Sequence, residues 1–209
     1  MSVESLLTDP IKFQHLCWPH ITLFDKQEEI LRSLHDNVET FVHAGNELGK
    51  DFVSAIACLW FFASRSPCYV VTTSSNAHQL QVVLWGEMRR MLAESKYKFP
   101  FEVTHMRIRR YQKDGSIEPQ SEIMGRVVQK GESFQGFHLL QDIPRTMCLF
   151  DEASAIDDAF YDSATSWAHR ILVIGNPMNS TNFFYRCCKK GDLADPALAK
   201  EVKKEIFTN

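Results

Sequence analysis

The stretch from Phe41 to Asp51, FVHAGNELGKD, constrains the fold more than any other part of the sequence. A short apolar run ends at Ala44, a glycine-containing loop follows, and a long apolar segment then runs from Phe52 to Ala63. This order predicts a strand, a loop and a helix. Loop amides and the positive end of the helix together form a site for phosphate groups. An ordinary strand-to-helix turn is the alternative.

The loop has the form A-x-x-x-x-G-K, a variant of the P-loop, in which the lysine reaches the β- and γ-phosphates of a nucleotide. Asp51 stands where Ser or Thr normally holds Mg²⁺. A carboxylate is also a hard oxygen ligand, and it can act through water. The predicted phosphate-binding residues are Ala44, Gly45, Asn46, Glu47, Leu48, Gly49, Lys50 and Asp51.

An acidic motif further along the chain also indicates a nucleotide site. The apolar strand Thr146–Phe150 is followed directly by Asp151 and Glu152, which is the Walker B form. Two carboxylates that end a buried strand are costly unless they meet a cation. We therefore predict that Asp151 holds Mg²⁺ and that Glu152 is the catalytic base that polarises the attacking water. The two motifs together predict binding of ATP with Mg²⁺.

Two further polar residues are candidates for the site. Gln27 falls on the apolar face of a predicted helix that starts at Phe24, and an amide there can donate to and accept from an adenine edge. A half-buried glutamine without this role is the alternative. Asn176 follows the predicted strand Arg170–Ile174, whose end should lie beside the Walker B end. It is a candidate sensor of the γ-phosphate, and a simple Asn-Pro turn is the alternative.

The remaining pattern predicts an α/β domain with a mainly parallel sheet and helices on both faces. We expect short helices around Ser5–Leu7 and Phe13–Leu16, broken by Pro10 and Pro19, and longer helices over Ala77–Leu92 and Ile156–Ala168. Further strands are predicted over Cys68–Thr73, Phe101–His105, Met106–Gln112 and Glu122–Gln129. The segment that holds the last three strands is the most basic part of the chain, which predicts either a sheet-edge insertion that faces a polyanion or an ordinary charged hairpin.

Composition limits the class of protein and the compartment in which it is expected. The chain has 209 residues, 44% of them apolar and 23% charged, which fits one globular domain with a sizeable core. The net charge of −3 gives no whole-protein basic field for nucleic acid. The six cysteines show neither zinc spacing nor a disulfide framework, so a reducing cytoplasm is expected. No apolar run reaches membrane-spanning length.

Taken together, the motifs resemble the ATPase domain of the phage terminase large subunit, a DNA-packaging motor with a P-loop NTPase fold of the RecA/ASCE type. Five pieces occur in the order of that family, from about Phe24 to Arg186. They are Phe24–Gln27, Ala44–Asp51, Val71–Ser74 with Gln79–Val82 and Leu84-Trp85, Phe134–His138 with Leu149–Ser154, and Ile174–Pro177.

The resemblance implies hydrolysis of Mg-ATP coupled to translocation of double-stranded DNA into a procapsid, in the cytoplasm of a bacterial host. It implies that Gln27 contacts adenine and that Asn176 couples hydrolysis to movement, with Lys50, Glu152 and Asn176 as the catalytic set. Implied partners are the portal of the procapsid, the small terminase subunit and further copies in a homo-oligomeric ring. A monomer is the alternative for the isolated domain, and no membrane partner is expected.

The resemblance also marks departures. Many terminases have an arginine roughly where Asn46 stands, so another arginine would have to serve, with Arg107, Arg109, Arg110 and Arg126 as candidates. A single ATPase domain is expected over 1–209, with a lead-in over 1–22, a P-loop core over 23–186 and a tail or linker over 187–209. A C-terminal nuclease domain is expected to be absent, because the chain is either an excised domain or a short relative. No nuclease activity is expected from this segment.

Two other functions stay open. A helicase-like nucleic-acid ATPase shares the glutamine and both nucleotide motifs, but it would need a second RecA-like domain. A nucleotide-binding scaffold without turnover is the other, and it is motivated by Asp51 and by the missing arginine.

Overall fold

The computed structural model describes residues 8–45, 49–128, 145–176, 181–192 and 204–208. One eight-stranded sheet runs through the molecule in the order β3-β4-β5-β2-β6-β7-β1-β8. Neighbouring strands from β5 to β8 in this order pair parallel, whereas β4 is antiparallel to both β3 and β5. The strands are β1 Glu39–His43, β2 Tyr69–Ser74, β3 Phe101–Thr104, β4 Arg107–Tyr111, β5 Ile117–Val127, β6 Thr146–Phe150, β7 Arg170–Gly175 and β8 Lys204–Thr208.

Helices cover both faces of this sheet, as the sequence pattern predicts. The α-helices are α1 Pro10–Cys17, α2 Asp25–Asp36, α3 Lys50–Ala63, α4 Trp85–Glu94, α5 Asp158–Thr165 and α6 Phe183–Asp192. A π-helix, Gln79–Leu84, leads into α4, and a 3₁₀ turn, Ala153–Ala155, follows β6. Side chains of α1 to α4 fill one core and those of α5 and α6 fill the other. The central strand β6 supplies Leu149 to the first core and Phe150 to the second.

Several element boundaries differ from the sequence-based expectation. The helix predicted around Ser5–Leu7 lies outside the described residues. The helix predicted around Phe13–Leu16 is longer and begins at Pro10, because the N–H that proline lacks is unpaired in the first turn of any helix. Asp9 caps this helix, and its Oδ1 accepts the N–H groups of Ile11 at 2.9 Å and Lys12 at 3.1 Å. The predicted helix Ile156–Ala168 is shorter and covers Asp158–Thr165.

Two segments near the ends of the chain, which were expected to lie outside the core, pack against it or pair with its sheet. Trp18, in the segment expected to be a lead-in, is fully buried, and its Nε1 donates to the carbonyl of Met91 at 2.8 Å. Residues Lys204–Thr208, expected to be tail or linker, form β8 and pair parallel with β1. No helix in the described ranges is long and apolar enough to cross a membrane.

The insertion β3–β5 lies at one edge of the sheet, as predicted. Its arginines are paired with glutamates of the same sheet: Arg107 with Glu122 and Arg109 with Glu102. Arg110 also donates to the carbonyl of Arg65 at 2.9 Å. These contacts favour an ordinary charged hairpin, because the arginine charges are compensated within the sheet itself.

Candidate nucleotide site

Three neighbouring strands deliver the candidate residues to one edge of the sheet. β7 lies between β1 and β6 and is parallel to both, so the carboxyl ends of all three meet. The backbone holds them together there, since the N–H of Ala44 donates to the carbonyl of Gly175 at 3.0 Å. The carboxyl edge of an open parallel sheet is where such folds bind ligands.

Gly49 fixes the end of the P-loop. It has φ +70° and caps the N-terminus of α3 in the left-handed conformation that glycine adopts most easily. A Cβ at this position would lie only 2.7 Å from Nε2 of Gln27. Ala44 and Gly45, also predicted to bind phosphate, directly follow β1, whereas the predicted phosphate ligands Asn46, Glu47 and Leu48 lie outside the described residues.

Gln27 packs directly against the P-loop. Its side chain is buried, and Oε1 accepts the N–H of Phe24 at 3.1 Å, so the helix start orients the amide. Nε2 then faces Gly49. This arrangement places Gln27 next to the loop that would hold the phosphates, and the contact with adenine stays a prediction.

Lys50 and Glu152 form an ion pair at the centre of the site. Lys50 is the first residue of α3 and is buried, and its Nζ contacts Oε1 of Glu152, which is about one third exposed. Glu152 has φ 51° and ψ 47°, a left-handed conformation that is unusual for a residue with a side chain. Such backbone strain, on the order of 1–3 kcal/mol, is commonly found at functional sites.

Gly175 allows the close approach that this turn requires. A Cβ on Gly175 would lie 3.0 Å from the backbone nitrogen of Ala153 and 3.1 Å from Cε1 of Phe184. The sequence analysis did not single out this residue. The available signal was a glycine between an apolar strand and Asn176. Asn176 itself is half-buried at the end of β7, beside the acidic turn.

Asp151 is a buried carboxylate with an unused oxygen. It is 1% exposed, its Oδ1 accepts the N–H of Glu152 at 3.0 Å, and its Oδ2 has no hydrogen-bond partner within the described part of the chain. Burial, together with the nearby charges of Asp51 and Glu152, raises the pKa of Asp151 to about 7. Burial also raises the pKa of Asp51.

This arrangement fits a divalent cation. Asp51 and Asp151 are nearby carboxylates with raised pKa values, and one of them has an oxygen without a hydrogen-bond partner among the described residues. A positive charge between them would stabilise their ionised forms. Among the described residues, no group of three or more His, Cys, Asp or Glu side chains is arranged so that it could hold a metal ion. Mg²⁺ does not require one, because it is usually held by one or two carboxylates together with substrate phosphates and water.

Gln79 joins this acidic pair and was missed as a site residue in the sequence, where it appeared only within a motif. Its Nε2 donates to Oδ1 of Asp51 at 2.9 Å. No sequence pattern marks the contact, because Gln79 and Asp51 lie on different helices. Their meeting depends on how the π-helix packs against α3.

Comparisons with known proteins agree with this fold. No protein-family model and no curated protein sequence matches the chain. Among solved structures, the large terminase ATPase domain of Thermus phage P74-26 is similar, with a TM-score of 0.63 and 16% identity over 94% of this chain and 83% of that one. The large terminase of bacteriophage HK97 is similar with a TM-score of 0.65 and 13% identity over 100% of this chain and 44% of that one.

A third similar structure is the large terminase of a thermophilic bacteriophage in complex with ADP. Its TM-score is 0.58, with 13% identity over 88% of this chain and 45% of that one. The chain therefore shares the fold of these phage large terminase ATPase domains. It spans less than half the length of the full large terminases that it matches.

Proposed function

We propose that this chain is the ATPase module of a viral DNA-packaging motor, which hydrolyses Mg-ATP and couples hydrolysis to translocation of double-stranded DNA into a procapsid. The observation that carries the proposal is the convergence of Lys50, Asp51, Asp151 and Glu152 at the carboxyl edge of adjacent parallel strands. The likeness of the fold to terminase ATPase domains supports the choice among nucleotide hydrolases.

Nucleotide binding begins with an exchange of partners at Lys50. In the structure the ammonium group of Lys50 is paired with Glu152. The β- and γ-phosphates of ATP carry more negative charge, so they replace Glu152 at Lys50. The amides around Gly49 and the N-terminus of α3 then add donors to the same phosphates. Gln27, which packs against Gly49, would contact the adenine.

Hydrolysis uses the glutamate released by this exchange. Glu152 accepts a proton from the attacking water as the water oxygen bonds to the γ-phosphorus. The bond from that phosphorus to the bridging oxygen breaks, and ADP leaves with the electron pair. Asp151 and Asp51 would hold Mg²⁺, which neutralises charge on the phosphates when bound. Asn176 directly follows β7, the strand between β1 and β6. It senses the loss of the γ-phosphate and transmits this change to the rest of the motor.

The partners in this proposal follow from the same comparison with packaging motors. They are double-stranded DNA, the portal of the procapsid, a small terminase subunit and further copies of the chain in a ring, in the cytoplasm of a bacterial host. A neighbouring subunit in the ring would supply the arginine that is missing near Asn46.

The test is steady-state ATP hydrolysis with Mg²⁺, with and without double-stranded DNA. Wild type is compared with Lys50→Ala and with a control, Lys98→Ala, which changes an exposed lysine after α4. We expect turnover that Lys50→Ala abolishes, that Lys98→Ala leaves unchanged and that duplex DNA stimulates.

Three outcomes would contradict the proposal. Turnover insensitive to Lys50→Ala would place hydrolysis elsewhere. DNA-stimulated strand separation would favour the helicase-like alternative. Nucleotide binding without turnover, even with procapsids and DNA added, would favour a scaffold module.

A further inference from the structure

The helix that follows β2 begins with a short α-helical turn, in which the N–H of Leu80 donates to the carbonyl of Asn76 at 3.0 Å, and continues as a π-helical segment, Gln79–Leu84. Its closing bond runs from the N–H of Trp85 to the carbonyl of Leu80, five residues back. Such segments are rare and frequently occur at functional sites, because the extra residue redirects the side chains of one turn. Here the redirected turn begins at Gln79.

Neighbouring contacts hold this segment in one position. Oδ1 of Asn76 accepts the N–H groups of His78 at 2.9 Å and Gln79 at 3.2 Å. Nε1 of Trp85, which is fully buried, donates to Oγ1 of Thr72 in β2 at 3.0 Å. Gln79 is thus fixed at both ends of its segment, against the strand next to β6.

The side chain of Gln79 meets the acidic pair from this fixed position. Its Nε2 donates to Oδ1 of Asp51 at 2.9 Å. An amide is suited to this place, because it orients a carboxylate without neutralising the negative charge that a cation needs. Partners of this kind behind metal ligands set both the position and the affinity of the ligand.

We propose that Gln79 is a positioning residue, which holds the Asp51 carboxylate so that Asp51 and Asp151 present oxygens to one divalent cation. This inference rests on the proposed nucleotide site and assigns part of it. Gln79 touches neither the phosphates nor the attacking water in this assignment, and it acts through Asp51.

The test measures ADP binding by titration calorimetry, once with Mg²⁺ and once with EDTA. Gln79→Met keeps the length of the side chain and removes its N–H donor. Gln81→Met, in the same π-helix, is the matched control, because only the backbone carbonyl of Gln81 accepts a hydrogen bond, from Arg89. We expect Gln79→Met to weaken binding with Mg²⁺ about 10- to 100-fold, the range for partners of metal ligands. Binding in EDTA and both values for Gln81→Met should match wild type.

A double-mutant cycle with Asp51→Ala tests the route of the effect. If Gln79 acts through Asp51, then Gln79→Met causes no further loss of Mg²⁺-dependent binding in the Asp51→Ala background. An equal loss in both backgrounds would overturn the inference.

Other results would also overturn it. Wild-type behaviour of Gln79→Met with Mg²⁺ would remove the positioning role, and an equal loss with Mg²⁺ and with EDTA would show a merely structural one. Wild-type protein that binds no ADP in either buffer would refute the nucleotide site itself, which separates failure of the proposed function from failure of this assignment.

Discussion

At the scale of single residues, the site is defined by charges that the fold forces together. Lys50, Asp51, Asp151 and Glu152 would repel or attract one another weakly in water, but burial strengthens these interactions. Lys50 and Glu152 form an ion pair, so their two charges compensate each other. The two aspartates have no such partner in the described structure, and their raised pKa values record the cost.

Glu152→Gln should separate binding from catalysis. The amide cannot accept the proton of water, so hydrolysis should fall by about 10²–10⁴-fold, the usual contribution of a general base. Lys50 loses its anionic partner at the same time, so the affinity for ATP should rise severalfold. Hydrolysis rates and ATP titrations check this, with the exposed Glu94→Gln as control. Unchanged hydrolysis would show that Glu152 is not the base.

Asp151 should make stability depend on pH in buffer that contains EDTA. Its pKa is raised from 3.8 to about 7 in the folded protein, so between these values the folded state binds the extra proton. The free energy of unfolding should therefore fall as pH rises from about 4 to about 7, by at most ~1.4 kcal/mol per pH unit from this group. Above pH 7 this stabilisation is lost.

Asp151→Asn carries no charge and should remove this dependence. Urea unfolding between pH 5 and pH 8 checks it, and the advantage of Asp151→Asn over wild type should grow as pH rises. Asp25→Asn, exposed in the first turn of α2, is the control and should show no such trend. A constant difference between wild type and Asp151→Asn across this range would contradict the prediction.

At the scale of elements, the site depends on how closely β7 approaches the acidic turn after β6. Gly175→Ala would place a Cβ 3.0 Å from the backbone nitrogen of Ala153, and a backbone atom cannot move aside cheaply. We expect a loss of about 1–3 kcal/mol in the free energy of unfolding, as for overpacked cores. Gly86→Ala is the matched control.

Gly86 lies in α4, where an added Cβ meets nothing within 4 Å. Alanine should stabilise that helix by roughly 0.5–1 kcal/mol, because glycine is a poor helix former. Urea denaturation of both variants checks the pair. Equal effects at the two positions would show that the approach of β7 to the turn is not tight.

At the scale of the whole molecule, a nucleotide that binds only the folded state should stabilise it. At 100 times the dissociation constant, Mg-ADP should add about 2.7 kcal/mol to the free energy of unfolding. For a domain of this size that raises Tm by roughly 5–10 °C. Thermal unfolding with and without Mg-ADP checks this, and Lys50→Ala should show little rise. A rise of equal size in Lys50→Ala would place the nucleotide elsewhere.

The sequence by itself determined the fold class and most of the elements. Apolar runs without alternation, as in Thr146–Phe150 and Arg170–Ile174, can only be satisfied by burial on both faces of a parallel sheet. The spacing of Gly49 and Lys50 after a strand, and of two carboxylates after another, placed both motifs at strand ends. The parallel direction of the strands then brings those ends to one edge.

Only the tertiary structure decided which side chains touch there. The contact of Gln79 with Asp51, the pairing of Lys50 with Glu152 and the approach of Gly175 to Ala153 join residues far apart in the chain. No local pattern specifies such contacts, since they depend on strand order and on the helix geometry between β2 and α4. The same reason explains β8, because a short segment such as Lys204–Thr208 forms an edge strand only when a neighbouring strand, here β1, offers its backbone.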